Sequence, residues 1–173
     1  GCTGHYGRPL TAAVMGFGNT ARGAITALQA LGIHDITVFT TRDITAVASP
    51  IPSVVLNHLD RADTDSLRTV VDTGTGPEPT AALLARHDIV VNCVLQDTDA
   101  PLMFVSNAEL KTFAPGSLLI DVSCDSGMGF ECARPTSFDK PVFTVADGVN
   151  YYAVDHSPTY LWNSATWEIS EAL

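Results

Sequence analysis

The first chemical signal in this sequence is a set of small residues at fixed spacing. Gly16, Gly18 and Ala21, in the stretch VMGFGNTARGA (14–24), fit the pattern G-x-G-x-x-G/A. In that pattern the first glycine permits a tight turn, the second lets an anion reach the backbone without meeting a Cβ, and the small third residue lets a helix pack close to a strand. The N–H groups of Asn19, Thr20 and Ala21 would then direct the positive end of a helix dipole at a pyrophosphate. A glycine-rich turn that serves packing alone has the same spacing, so the flanking elements have to decide.

Those elements are legible. The apolar run 12–15 predicts a strand, and Ile25, Leu28 and Leu31 at helical spacing over 21–31, closed by Gly32, predict the helix after it. A second strand is expected over 36–39, and it ends in Thr40, Thr41 and Arg42. An acid at this place would accept hydrogen bonds from a ribose 2′-OH, whereas hydroxyls and an Arg fork suit a 2′-phosphate. The run therefore favours NADP(H), with NAD(H) possible, because Asp43 restores an acid if the strand end shifts by one residue. Arg42 and Asp43 could equally be a solvated pair opening the next element.

Further strands are expected over 88–95, 117–123 and 141–145, with helices over 79–86 and 107–113. The segment 51–79 is harder to read, with a strand expected over 67–71. The strands lack apolar/polar alternation, as in a parallel sheet covered on both sides. The fold class expected is α/β, a Rossmann-like doubly wound parallel sheet with helices on both faces. Ligands of such sheets lie beyond the carboxyl ends of the strands, which brings Ser123, Asp125 and the backbone around Cys93, Val94, Leu95 and Gln96 to the rim of one cleft. Asp125 before a glycine pair is also an ordinary turn former.

Bulk properties bound the partners. At 173 residues, with 46% hydrophobic and 16% charged residues, a single globular domain is expected. A net charge of −10 disfavours nucleic acid and anionic membrane surfaces. The four cysteines form no C-x-x-C pair and the five histidines are scattered, so no metal site is expected. No signal-like or membrane-spanning run is present, which makes a cytoplasmic location with free thiols the simplest expectation.

Three stretches, GFGNTARGA, IDVSCDSGMGFECARPTSFDKPVF and VDHSPTYLWNSATWEIS, resemble the cofactor-binding domain of the alanine dehydrogenase and saccharopine dehydrogenase group. The resemblance is strongest to the opine-forming N5-(carboxyethyl)ornithine synthases, and the D-V-S-C-D-x-G block is its most specific part. It implies an oxidoreductase that joins an amino acid to a 2-oxo acid such as pyruvate and reduces the imine with a nicotinamide hydride. By the same resemblance Gly16, Gly18 and Ala21 bind pyrophosphate, Thr41 and Arg42 face the adenosine ribose, Val94 and Leu95 line the cofactor, and Asp125 faces the reacting centre. Asp155, His156 and Pro158 match the segment that passes the nicotinamide, where alanine dehydrogenases carry Asn-Met-Pro.

Imine chemistry needs a proton shuttle near neutral pH, the range of an unperturbed imidazole, which would make His156 catalytic beside Asp125. Neighbours on a strand point to opposite faces, so Asp155 and His156 need not bond each other, and His156 could equally pack under the nicotinamide. The resemblance also implies a second, substrate-binding domain upstream, absent from this sequence. Residues 1–158 would form the cofactor domain and 159–173 a terminal helix crossing to that domain. The chain alone would then bind cofactor without turning over, and the complete protein would be a homo-oligomer. An NAD-linked alanine or saccharopine dehydrogenase domain is the alternative among enzymes. A non-catalytic dinucleotide sensor, docking a partner through Trp162 and Trp167, is the alternative of another class.

Overall fold

The computed structural model describes residues 7–42, 51–63 and 67–172. The chain begins with β1 (Thr11–Met15), α1 (Asn19–Ala30), β2 (Asp35–Thr40) and β3 (Val54–Arg61). It continues through β4 (Thr69–Asp72), β5 (Pro77–Pro79), α2 (Thr80–Leu84), β6 (Ile89–Asn92) and β7 (Met103–Val105). After a 3-10 turn at Glu109–Thr112 come β8 (Leu118–Asp121), β9 (Gly129–Phe130), β10 (Val142–Val145) and β11 (Val149–Tyr152), and a second 3-10 turn at Ser157–Leu161 leads into α3 (Trp162–Ala172).

Nine strands form one sheet in the order β10-β11-β8-β6-β1-β2-β3-β4-β5. The six central strands run parallel, and β10, β4 and β5 extend the two edges in antiparallel pairing. Chain order reverses about β1, which has β2 on one side and β6 on the other. A crevice therefore opens at the carboxyl ends of β1 and β6, the switch point where ligands of open α/β sheets bind.

The core explains why β1 shows no alternation. Ala12 and Val14 pack under α1 with Ala21, Ile25 and Leu28, while Ala13 and Met15 face a second cluster with Phe39, Leu119 and Tyr151. Both faces of the strand are buried from Ala12 to Met15, so each of those positions is apolar. Ala12 on the strand and Ala21 on the helix let α1 and the sheet approach closely. The α1 helix ends in a Schellman motif: Ile33 N–H donates to the Leu28 carbonyl at 3.0 Å and Gly32 N–H to Gln29 at 2.9 Å, with Gly32 at φ +83. Leu31, expected on the apolar stripe, is the exposed C-cap, and buried Ile33 takes its place in the core.

Several expectations are corrected. The strand expected over 141–145 forms as β10, but antiparallel to β11, because Ala146, Asp147 and Gly148 make a three-residue hairpin loop with Gly148 at φ +94. The helix expected over 107–113 shrinks to a 3-10 turn, in which the Glu109 carboxylate accepts both the backbone N–H and the hydroxyl of Ser106, and the one expected over 79–86 to the five residues of α2. The face opposite α1 is therefore covered largely by the β7–β9 ribbon, α2 and that turn. The difficult 51–79 segment holds β3, β4 and β5 rather than one strand. Helix α3 carries Trp162, Trp167 and Ile169 exposed. Among the described residues no helix is long and apolar enough to cross a membrane.

Two glycines of α1 should behave oppositely. Gly32→Ala places a Cβ in the left-handed region and should lower unfolding free energy by about 1 kcal/mol. Gly23→Ala, in the helix interior with open space in front of its Cβ, should raise it by about 1 kcal/mol. Urea denaturation of the two variants checks both signs.

Candidate dinucleotide site

The turn between β1 and α1 is built by close approach. Gly16 sits at φ +93, and a Cβ there would lie 3.3 Å from the Cys93 carbonyl oxygen and 3.5 Å from Val94 Cγ2. Its N–H donates to the Phe39 carbonyl at 2.7 Å, so the turn is clamped between the tips of β2 and β6. Gly18, the N-cap of α1, has the opposite character: nothing lies within 4 Å of where its Cβ would be. No side chain caps α1 and its first turn holds no acid. The helix start therefore offers backbone N–H groups and open space together, the combination that an anion needs.

Around this turn lies a cleft of about 300 Å3 lined by Gly16, Gly18, Thr20, Thr40, Thr41 and Arg42 on one side and Cys93, Val94 and Leu95 on the other. Nine of the predicted site residues thus surround one cleft. Asn19 and Ala21 belong to the first turn of α1, and Ala21 is buried against the sheet. Thr40 is nearly buried and its Oγ1 accepts the Arg42 N–H at 3.1 Å, so it shapes the strand end while Thr41 and Arg42 remain exposed. Asp43 lies outside the described residues. Leu95 is 92% exposed at the mouth of the cleft. A contiguous cavity of about 400 Å3 shares Thr41, Val94 and Leu95 and runs out toward Leu59, Thr69 and Leu102.

The other half of the carboxyl edge is organised by a buried carboxylate that the sequence does not advertise. Asp121, at the tip of β8, is 1% exposed. Its Oδ2 accepts the Tyr151 hydroxyl at 2.5 Å, and its Oδ1 accepts Asn92 Nδ2 at 2.9 Å and the N–H groups of Ser123 and Cys124 at 3.1 and 3.4 Å. Asn92 Oδ1 in turn accepts the Val94 N–H at 3.2 Å, and Ser123 Oγ donates to the Val94 carbonyl at 2.5 Å. One network therefore fixes both the Cys93–Val94 wall of the cleft and the turn that carries Asp125. Burial pushes the Asp121 carboxyl up, and the four donors pull it back. Burial and the Asp121 charge push the Tyr151 phenol up, so it remains a donor.

Asp125 and Asp155 both lie close enough to Cys124 for their charges to act on it. The thiol, raised first by burial and then by Asp121, Asp155 and Asp125, is pushed up to about 11. Burial likewise raises Cys93 to about 12 and Cys132 to about 11, which leaves none of these three thiols as a thiolate near neutral pH. His156 corrects the strand-based expectation for its neighbour. It lies in a turn beyond β11 at φ +54, so Asp155 Oδ1 reaches both His156 Nδ1, at 2.9 Å, and its backbone N–H, at 2.8 Å. The imidazole is 77% exposed, and Pro158 is the second residue of the 3-10 turn that follows. Among the described residues no group of His, Cys, Asp and Glu is placed to hold a metal ion.

Residues 6–173 match the sequence pattern of the alanine dehydrogenase/PNT C-terminal domain. The chain belongs to that family. Alanine dehydrogenase of Halomonas elongata is 28% identical over 164 residues, 95% of this chain and 40% of that protein. N(5)-(carboxyethyl)ornithine synthase of Lactococcus lactis is 33% identical over 89 residues, 51% of this chain and 28% of that protein. Among solved structures, an L-alanine dehydrogenase superposes with a TM-score of 0.62 at 21% identity, and a transhydrogenase from Sinorhizobium meliloti with 0.63 at 18%, each over 92% of this chain. The chain spans two fifths or less of the length of these curated relatives. It is an NAD(P)-binding, Rossmann-type domain of the alanine dehydrogenase-like oxidoreductases.

Removing the Tyr151 hydroxyl tests the buried network. Tyr151→Phe strips one donor from an ionised buried carboxylate and should cost about 1–3 kcal/mol at neutral pH. Asp121 has a raised folded-state pKa, so its ionisation costs stability as pH rises above the unfolded value, and loss of a donor raises it further. The deficit of Tyr151→Phe relative to the parent should therefore shrink toward acid pH, where both carry a protonated Asp121. Urea titrations at several pH values measure it.

Proposed function

We propose that this chain is the NADP(H)-binding part of an opine-type amino-acid dehydrogenase, which reductively condenses an amino acid with a 2-oxo acid. The observation that carries the reading is the placement of Asp125 just past β8 and of the Asp155–His156 pair just past β11, on the same carboxyl edge of the sheet as the open start of α1. The Gly18 space and the first-turn amides of α1 would hold the pyrophosphate, and Thr41 and Arg42 the 2′-phosphate. The adjoining cavity toward Leu59 and Leu102 would take the adenine. Val94, held by Asn92 and Ser123, would form the wall behind the dinucleotide.

The bound nicotinamide supplies hydride exchange with the substrate's C–N carbon. Asp125 and the Asp155–His156 pair do the proton work, with the carboxylate of Asp155 orienting the imidazole. The exposed apolar face of α3 fits a segment that crosses to a substrate-binding domain, with residues 1–158 forming the cofactor domain. Because the alanine dehydrogenase of Halomonas elongata matches 95% of this chain, alanine formation from pyruvate and ammonia is the second reading. Turnover of the complete protein with pyruvate and either NADPH or NADH separates the two. A requirement for a primary amino acid supports the opine reading, ammonia alone as sufficient co-substrate supports the alanine reading, and no oxidation of either cofactor with any 2-oxo acid overturns both.

Two variants test the cofactor assignment by binding alone. Gly18→Val has room in the fold but fills the anion space, so it should keep the melting temperature within a few degrees while weakening NADPH binding by more than about tenfold. Arg42→Gln should weaken NADPH by about tenfold and leave NADH unchanged. Calorimetric titration reads both; equal affinities for NADPH and NADH in the parent would remove the 2′-phosphate assignment.

A further inference from the structure

At Asp155 the carboxyl edge continues into a second concavity, separate from the cleft around Gly16 and Arg42. It is a groove of about 520 Å3 whose lining includes Arg134, Ser137, Lys140, Val142, Phe143 and Asp155. The loop that walls it is pinned to the sheet rather than draped over it. Thr136 N–H donates to the Ala153 carbonyl at 2.8 Å, Thr136 Oγ1 donates to the Pro141 carbonyl at 2.9 Å, and Lys140 N–H closes the turn onto Ser137 at 3.1 Å. The guanidinium carbon of Arg134 lies 4.2 Å from the centroid of the Phe143 ring, a cation–π contact that holds the head of the side chain over the groove.

The electrostatics of this groove run against those of the molecule. The chain carries −10 overall, yet among the described residues neither Arg134 nor Lys140 forms an ion pair with a carboxylate. The carboxylate at the rim, Asp155, is engaged by His156. Two cations over an apolar floor, one of them against an aromatic ring, match a ligand with a carboxylate at one end and a hydrocarbon stem.

We propose that this groove is a carboxylate subsite for the amino-acid portion of the substrate. The inference rests on the opine reading above. The reacting C–N bond would sit beside Asp125 and His156, and the carboxylate contributed by the amino acid would reach past Asp155 to Arg134 and Lys140, its stem lying on Val142 and Phe143. The groove thereby selects amino acids over ammonia or simple amines, because only an amino acid brings the second carboxylate.

The test uses the complete protein saturated with NADP+ and two probes, N-(1-carboxyethyl)glycine and the analogue whose glycine carboxylate is an amide. The parent should bind the acid about tenfold more tightly than the amide. The double variant Arg134→Gln/Lys140→Gln should lose that preference while keeping its NADPH affinity. A parent that does not distinguish acid from amide, or a double variant that keeps the preference, overturns the subsite and leaves the cofactor assignment standing. A parallel loss of NADPH affinity in the double variant overturns it as well, since the loop would then be supporting the fold. Failure of the parent to bind NADPH at all brings down the underlying functional reading instead.

Discussion

The carboxyl edge of this domain is organised around one charge taken out of water. An ionised carboxylate buried as deeply as Asp121 is tolerated only if its lone pairs are filled, and here donors arrive from three strands: the amide of Asn92 on β6, the phenol of Tyr151 on β11 and two backbone N–H groups just past β8. Each donor is itself positioned by the sheet, so the requirement runs both ways. The strands bring the donors together, and the carboxylate forbids any relative slip of their tips. A sheet edge is ordinarily the place where loops wander, and this network makes part of it as fixed as the core.

The consequence reaches the ligand through Val94. Its N–H is held by Asn92 and its carbonyl by Ser123, and its side chain lies against Gly16. The pyrophosphate turn and the turn bearing Asp125 are therefore coupled through a short chain of contacts. Net charge is the opposing constraint. At −10 the molecule repels an anionic cofactor at long range, so attraction must be local. On the proposed assignments it would come from the amides and dipole of α1 and from Arg42, while Arg134 and Lys140 would act on a substrate carboxylate farther along the edge. Screening over about 8 Å at physiological salt lets these local fields act within the cleft while the distant carboxylates fade.

What could be read from the sequence is what depends on neighbours in the chain. The β1–α1 turn is set by residues within a dozen positions of each other, and its glycine spacing has one dominant structural meaning, so the cleft around Gly16, Gly18, Arg42 and Val94 was foreseeable. The Asp121–Tyr151 bond joins residues thirty positions apart, and nothing local in VNYY announces it. The A-D-G loop before that run was a hairpin signal that would have produced β11 and reversed the direction assigned to β10. The 107–113 helix failed because its apolar residues serve a short covering turn whose Glu109 is engaged by Ser106 instead. Asp125 and His156 are candidates by family likeness, and spacing alone does not single them out.

Backbone conformation completes the division between the rigid frame and the chemistry it presents. Four described non-glycine residues adopt positive φ, and of these Cys124 at +58 immediately precedes Asp125 while His156 at +54 is itself assigned to proton transfer. Such a conformation costs of order 1–3 kcal/mol and persists only where surrounding structure over-determines it. At Cys124 the over-determination is visible: the backbone N–H and the thiol both donate to Asp121. At His156 it comes from Asp155, whose carboxylate grips the backbone N–H and the ring together. The left-handed residue at each place breaks the alternation that a strand would impose. It lets neighbouring side chains act on the same side, which for Asp155 and His156 converts two residues that an extended chain would separate into a carboxylate–imidazole pair.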